Sequence, residues 1–305
     1  MSNRDTHSES TSVSNVVEIH RLSRRFGVKA ALDDISLNIP RGGVFGLIGG
    51  NGAGKTTLLK HILGMHYAQS GSVRVFGLDP VANPVGVLGR IGYMSENRDL
   101  PNWMKVGDLM RYTQAFFPTW DAAYASELCD MFDLDRKARV HHLSRGQRAR
   151  TCLLVALAHR PELLVLDEPS SGLDPVVRRD ILGAVIRTIA DEGRTVLFSS
   201  HLLDEVERVA DRIAIIHQGK VQLTGSMDSI KDTYRRVTVR FESPREQAPS
   251  LVGSISHSGG GNEWCYVCCG AREQVHRAVE AIGASVVEDS NLTLDDIFVA
   301  SISQN

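Results

Sequence analysis

No stretch of this sequence approaches the roughly 18 to 20 uninterrupted apolar residues that a membrane-crossing helix requires. Its most apolar runs, Leu163–Leu166 and Val196–Phe198, are only strand-length, so no helical span of a bilayer is expected. An excess of one charge is lacking as well. The chain carries 34 Lys and Arg against 36 Asp and Glu, a formal charge of -2. That balance gives no whole-protein field to draw in nucleic acid or anionic lipid. Cysteine is scarce and odd in number: Cys129, Cys152, Cys265, Cys268 and Cys269. The scatter of the first two, with no secretory signal ahead of them, argues for reduced thiols in the cytosol. Around Cys265 the sequence Trp264-Cys-Tyr-Val-Cys-Cys has strand character, which puts Cys265 and Cys269 on one face and Cys268 on the other. No second Cys pair completes a four-ligand site, although His257 and His276 are near in sequence. Buried apolar cysteines are therefore expected there rather than a metal. Residues 1–15 are rich in Ser and Thr and lack an apolar segment, so they read as a disordered tail and not a signal peptide.

What is present is ordinary globular composition, 42% hydrophobic and 23% charged, in a chain long enough for one large domain and one small one. Strands are expected at Val16–Ile19 and Ile35–Ile39 around a turn near Gly27, then at Val44–Ile48, Val73–Phe76 and Ile91–Met94. After Val44–Ile48 comes a helix with Leu58, Leu59, Ile62 and Leu63 on one face and Gly64 placed to end it. Helical spacing in Val106–Phe117 and Ala122–Phe132, with Pro118 between, marks an inserted helical subdomain at about residues 99–150. Buried strands at Leu163–Leu166 and Thr195–Ser199 flank the helical Val176–Ala190, and Ile213–His217 and Val221–Thr224 form a hairpin. Such alternation implies an α/β fold, a largely parallel sheet covered on both faces. From residue 235 to 305 a small α/β module is expected: strands at Arg236–Phe241 and Trp264–Cys269 around a Ser/Gly-rich loop (Ser254–Gly261), helix Glu273–Ile282, strand Ala284–Glu288 and helix Leu294–Ile302. No internal repeat is visible, so one nucleotide domain occupies residues 16–234.

Gly49-Gly50-Asn51-Gly52-Ala53-Gly54-Lys55-Thr56 fits the phosphate-binding loop G-x-x-x-x-G-K-[ST], after a strand and at a helix start. Glycines let the backbone curl so that several N–H groups face phosphate oxygens, and the helix N-terminus adds its positive end. Lys55 supplies a mobile charge for the β- and γ-phosphates, and Thr56 an oxygen for Mg²⁺. Leu163–Leu166 reads as a strand buried on both faces that ends in Asp167 and Glu168. The first carboxylate suits Mg²⁺ and the second suits orienting or deprotonating the attacking water. Acidic pairs at strand ends are common, and it is the pairing with the loop that gives this one weight.

Leu143-Ser144-Arg145-Gly146-Gln147, before an apolar helix and the Asp167-Glu168 strand, resembles the signature motif of ABC ATPases. Ser171-Gly172-Leu173-Asp174 resembles the family's D-loop, His201 its switch histidine, and Phe26 the aromatic residue set against adenine. The motifs follow family order from about residue 16 to 230. The resemblance implies a P-loop NTPase core of ABC type that binds ATP and Mg²⁺ and hydrolyses ATP. It implies that Glu168, His201 and Lys55 are catalytic, and that Thr56, Asp167 and Glu96 hold the metal. Nucleotide contacts would come from Phe26, Gly49, Asn51, Gly52, Ala53, Gly54, Lys55, Thr56 and Thr57, with Ser144, Gly146 and Gln147 reaching in from a second nucleotide-binding subunit, head to tail. Three positions depart from the pattern. Gly50 stands where many relatives have Pro, Arg145 replaces the first Gly of the signature pair, and Glu96 in Ile91-Gly92-Tyr93-Met94-Ser95-Glu96 stands where the family usually has Gln.

The module after residue 235 resembles the C-terminal extension of export-type subunits through Leu294-Asp295-Asp296-Ile297-Phe298. Phe117-Pro118-Thr119-Trp120-Asp121 resembles drug- or peptide-exporting bacterial relatives. The expectation is a peripheral motor subunit on the cytoplasmic side of the membrane, driving a separate transmembrane permease for export, with no nucleic-acid partner. The alternatives are a soluble ABC ATPase not coupled to transport and a regulatory domain with degenerate catalysis.

Overall fold

The computed structural model describes residues 14–303; of the expected tail, residues 1–13 lie outside the described part. The chain opens with β1 (Asn15–Phe26) and β2 (Lys29–Pro40), antiparallel around Gly27. Both strands run further toward the turn than their apolar residues alone suggest. β3 (Gly43–Ile48) leads through the glycine loop into α1 (Lys55–Ile62), and β4 (Ser70–Val75) returns to pair with β1. A short α2 (Pro84–Leu88) precedes β5 (Ile91–Met94). The helical region follows as α3 (Val106–Gln114), α4 (Ala122–Met131) and α5 (Arg145–Leu157). Next come β6 (Leu163–Asp167), α6 (Pro175–Glu192), β7 (Thr195–Ser200), α7 (Leu203–Val209) and the hairpin β8 (Arg212–His217) and β9 (Lys220–Ser226). The last unit is α8 (Met227–Thr233), β10 (Tyr234–Arg245), β11 (Ser254–Cys269), α9 (Arg272–Ala281), β12 (Ala284–Asn291) and α10 (Leu294–Ser303).

Six strands form the central sheet in the order β5-β6-β7-β3-β8-β9, parallel except for β9. Alternation along its strands feeds two cores. Leu164, Leu166, Val196, Phe198, Ile213 and Ile215 pack with α5 and α6 on one face. Leu163, Val165, Leu197, Ala214 and Ile216 pack on the other with α1 and the three-stranded sheet β2-β1-β4. Each such burial of a Val, Leu, Ile or Phe contributes about 1.5–3 kcal/mol, and the two-sided cover explains why β6 and β7 are apolar runs rather than alternating ones. Leu58, Leu59, Ile62 and Leu63 lie on the buried face expected of α1.

The C-terminal sheet is ordered β11-β10-β12 and is antiparallel. Ser254–Gly261, expected as a loop, belongs to β11, whose pairing with β10 runs from Cys269 opposite Tyr234 to Gly261 opposite Arg245 across an irregularity. Backbone hydrogen bonds set that ladder, and side-chain composition does not betray it. Trp264, Tyr266 and Cys268 face Val275 and Val279 of α9, while Val267 and Cys269 face the larger core that includes Leu294 and Ile297 of α10. Among the described residues no helix is long and apolar enough to cross a membrane.

Candidate nucleotide site

The loop between β3 and α1 is held from both sides. A β-carbon at Gly49 would stand 2.4 Å from the Ile216 carbonyl oxygen, and one at Gly54 would stand 2.5 Å from that of Ala31. Gly54 also has φ 114° and caps α1 with its backbone alone, so the first turn's N–H groups are left to a ligand rather than to a side chain. The backbone closes the curl with Ala53 N–H donating to Gly50 O at 3.2 Å and Gly219 N–H to Ala53 O at 2.9 Å.

Lys55, first residue of α1, is buried at 6% exposure. Its Nζ donates to Gly49 O at 2.6 Å and lies 2.9 Å from Glu168 Oε1. Glu168 follows the last residue of β6 and has φ 48°, in the left-handed region that L-residues rarely adopt. That turn sends the two neighbouring carboxylates different ways. Glu168 Oε2 pairs with His201 Nδ1 at 2.6 Å and accepts from His201 N–H at 3.3 Å. Asp167 Oδ1 accepts from Ser199 Oγ at 2.7 Å. The adjacent parallel strands β6 and β7 thus bring Asp167, Glu168 and His201 together from 33 residues apart.

Two clefts meet over the two carboxylates; His201 and Gly49 line neither of them. One, of about 410 Å³, is lined by Phe26, Lys29, Ala31, Gly50 to Thr57, Glu96 and Glu168. The other, of about 500 Å³, is lined among others by Thr56, Tyr93, Glu96, Asp99, Cys152 and Asp167. Thr56 and Glu96 belong to both. The second cleft is electronegative: burial, together with Asp167, Asp99 and Glu96, pushes the Tyr93 phenol up to about 12. Phe26 stands at the rim of the first, 47% exposed, its ring 4.9 Å from the Arg24 guanidinium carbon and edge-on to His66 at 5.9 Å. Lys29, which lines this cleft, belongs to none of the sequence motifs. Its only signal was a basic residue next to the turn that carries Phe26.

The remaining expected contacts lie elsewhere. Ser144 is the N-cap of α5, its Oγ accepting from Gln147 N–H at 3.2 Å while Gln147 Oε1 accepts from Ser144 N–H at 3.0 Å. This capping box engages the Gln147 side chain. Gly146 lies against α6, where a β-carbon would stand 2.7 Å from Val177 Cγ2. None of the three lines either cleft.

The family model described as ABC transporter matches residues 32–171. The chain is 30% identical over 227 residues to the ABC transporter ATP-binding protein YtrB of Bacillus subtilis, covering 74% of this chain and 77% of that protein. It is 36% identical over 253 residues to the sulfate/thiosulfate import ATP-binding protein CysA of Burkholderia mallei, covering 80% and 71%. The chain belongs to the ABC transporter ATP-binding proteins. A solved ATP-binding subunit of an ABC transporter, 27% identical, superposes on it with a TM-score of 0.65 over 71% of this chain and 92% of that one.

ABC ATPases bind ATP, and the geometry of this cassette fits Mg-ATP. The loop cannot admit side chains at Gly49 or Gly54, as a backbone cradle for phosphate requires. Thr56, Asp167 and Glu96 converge on one electronegative cleft. Among the described residues no three His, Cys, Asp or Glu form a metal cage, and Mg²⁺ held through substrate phosphates needs none.

Proposed function

We propose that the protein is the ATP-hydrolysing motor of an ABC transporter, dimerising on ATP and driving a separately encoded membrane permease. The observation that carries this reading is the contact of Glu168 with both Lys55 and His201 at the mouth of the phosphate loop. Loop N–H groups and Lys55 receive the phosphates. A phosphate oxygen offers Lys55 a charge in place of Glu168, which leaves that carboxylate to orient the attacking water and take its proton. His201, hydrogen-bonded to Glu168 through Nδ1, turns its other ring nitrogen to the γ-phosphate. Thr56, Asp167 and Glu96 would hold Mg²⁺, which when bound would supply charge neutralisation to the phosphates. Ser144 and Gly146, outside both clefts of their own copy, meet the nucleotide of a partner copy at the start of α5. The helix N-terminus there faces phosphate with its positive end.

The cycle follows from that arrangement. ATP supplies the γ-phosphate charge that joins the two copies; hydrolysis severs that phosphate from ADP, and its release reopens the pair. We read the direction as export, on the likeness of the Leu294–Phe298 segment to export-type extensions, and the protein as peripheral on the cytoplasmic face.

Light scattering of Glu168→Gln protein with and without Mg-ATP tests the sandwich. The expected result is an ATP-dependent doubling of mass that wild type loses as it turns over. A Glu168→Gln chain that binds ATP and stays monomeric would count against pairing of two copies.

A further inference from the structure

The loop after β5 lines the 500 Å³ cleft with Ser95, Glu96, Asn97, Asp99 and Leu100. Its remaining residue, Arg98, turns inward. Arg98 has φ 53° and is 9% exposed, an arrangement that stores backbone strain and removes a cation from water. Among the described residues no carboxylate ion-pairs with it. Instead, its terminal nitrogen donates to Pro169 O at 3.0 Å and Ser171 O at 2.7 Å. Burial holds the guanidinium below its ordinary value, and nothing opposing that shift is a bonded anion.

Those two carbonyls belong to the residues that immediately follow Glu168. They lead to Asp174, whose Oδ1 caps α6 by accepting from Val176 and Val177 N–H at 3.0 and 3.1 Å. Ser170, between the two carbonyls, is bonded through its hydroxyl to the buried Glu205 of α7. The segment is therefore gripped on one side by the cleft loop and on the other by the helix that follows His201. The far end of the grip reaches α5: Arg148 donates to Asn102 Oδ1 at 2.7 Å and Val140 O at 3.3 Å, and meets Arg98 O at 3.5 Å.

We propose that Arg98 is a positioning residue, a buried cation that fixes the segment 169–171 and through it Glu168 and the 171–174 loop, so that displacement of the cleft loop is felt at the hydrolytic carboxylate. A guanidinium suits the task, because one charged donor group bridges two carbonyls at once and stays charged when buried. A carboxylate partner would hold Arg98 itself; two carbonyls let Arg98 hold the chain. The proposal rests on the ATPase reading above. It adds a residue outside the motifs and outside the lining of both clefts.

The test uses the full chain as wild type, Arg98→Met, Arg98→Lys and Lys55→Ala. It measures kcat, KM, Mg-ATP affinity, and amide hydrogen exchange of residues 169–174. Arg98→Met is expected to lower kcat roughly ten- to a hundredfold, the scale of losing charge-assisted hydrogen bonds. Mg-ATP affinity should stay within about twofold, since Arg98 does not touch the cleft, and exchange in 169–174 should quicken. Arg98→Lys keeps a cationic nitrogen, the one kind of atom that makes both bonds, but places it on a stem of different length and shape, and is expected to recover part of kcat. It also serves as the variant to read if Arg98→Met does not fold. Wild-type kcat in Arg98→Met overturns the proposal, as does, should that variant not fold, an Arg98→Lys chain whose kcat and exchange in 169–174 are both wild type. A loss of Mg-ATP affinity equal to the loss of kcat overturns it too, since that marks general damage to the site. Failure of the underlying reading looks different: wild type then turns over no faster than Lys55→Ala, and the role in turnover goes with it.

Discussion

At the scale of single residues, the chemistry of the phosphate loop constrains its backbone, and the constraint falls on glycine. The constraint is uneven, however. Gly54 combines φ 114° with a carbonyl 2.5 Å from any β-carbon, whereas Gly50 has nothing within 4 Å. Gly54→Ala is therefore expected to strain the loop by about 1–3 kcal/mol and to weaken Mg-ATP binding tenfold or more. Gly50→Ala should stay within about twofold of wild type, since a β-carbon there meets nothing. Titration calorimetry on the two variants checks this; equal losses would mean that the loop's curl, rather than its packing, sets affinity. Residues whose roles depend on a fold partner were less legible. Gln147 reads as a nucleotide contact from the motif, but its side-chain oxygen closes the capping box with Ser144. Lys29 and Arg98 carry no motif at all, because the positions they serve are made by other strands.

At the scale of elements, the central strands were legible because parallel strands covered on both faces must be apolar throughout. Their ends were not. β1 and β2 extend to Phe26 and Lys29 through polar residues, and α3 stops at Gln114, short of the expected Phe117, whose ring instead stacks on His159 at 3.9 Å. What aligns the strand starts is polar. Glu162, just before β6, accepts from Arg90 Nε at 2.5 Å and from Arg41 at 2.9 Å, and Thr195 N–H at the start of β7 donates to Glu162 O at 3.2 Å. The Arg90 hydrogen bond, helped by Arg41 and opposed by burial, brings the Glu162 carboxyl down from 4.5 to about 2. A lowered folded-state value makes the stabilising contribution fully present above pH 4.5 and removes it as pH falls toward 2. Glu162→Gln should therefore flatten the loss of stability over that interval and lower stability at neutral pH. Chemical denaturation at a series of pH values measures it. An unchanged acid slope would show that solvent screens this half-exposed cluster in the folded protein.

At the scale of the molecule, the sequence suggested a boundary near residue 235, and the strands beyond it do form their own sheet with their own small core. The last helix does not respect that division. Leu294 and Ile297 of α10 are fully buried in the larger core that also holds Val206, Ala210, Met227 and Ile230. Leu294 N–H donates to Glu207 Oε2 at 3.3 Å, and Arg236 pairs with Asp296 at 3.0 Å. Nothing in composition or periodicity records this return, since an amphipathic helix shows that it buries a face but not against what. If the return ties the module to the nucleotide core, Leu294→Ala and Ile297→Ala should each destabilise the core by about 2–5 kcal/mol. Calorimetry would then show one lowered transition that Mg-ATP still raises. Phe241→Ala, inside the module's own core, provides the contrast: it loosens the C-terminal sheet directly. Should the α10 variants leave the ATP-sensitive transition in place and shift only a second, ATP-insensitive one, the module folds as an appendage. Movements of the nucleotide core would then stop at Tyr234 instead of passing into β10.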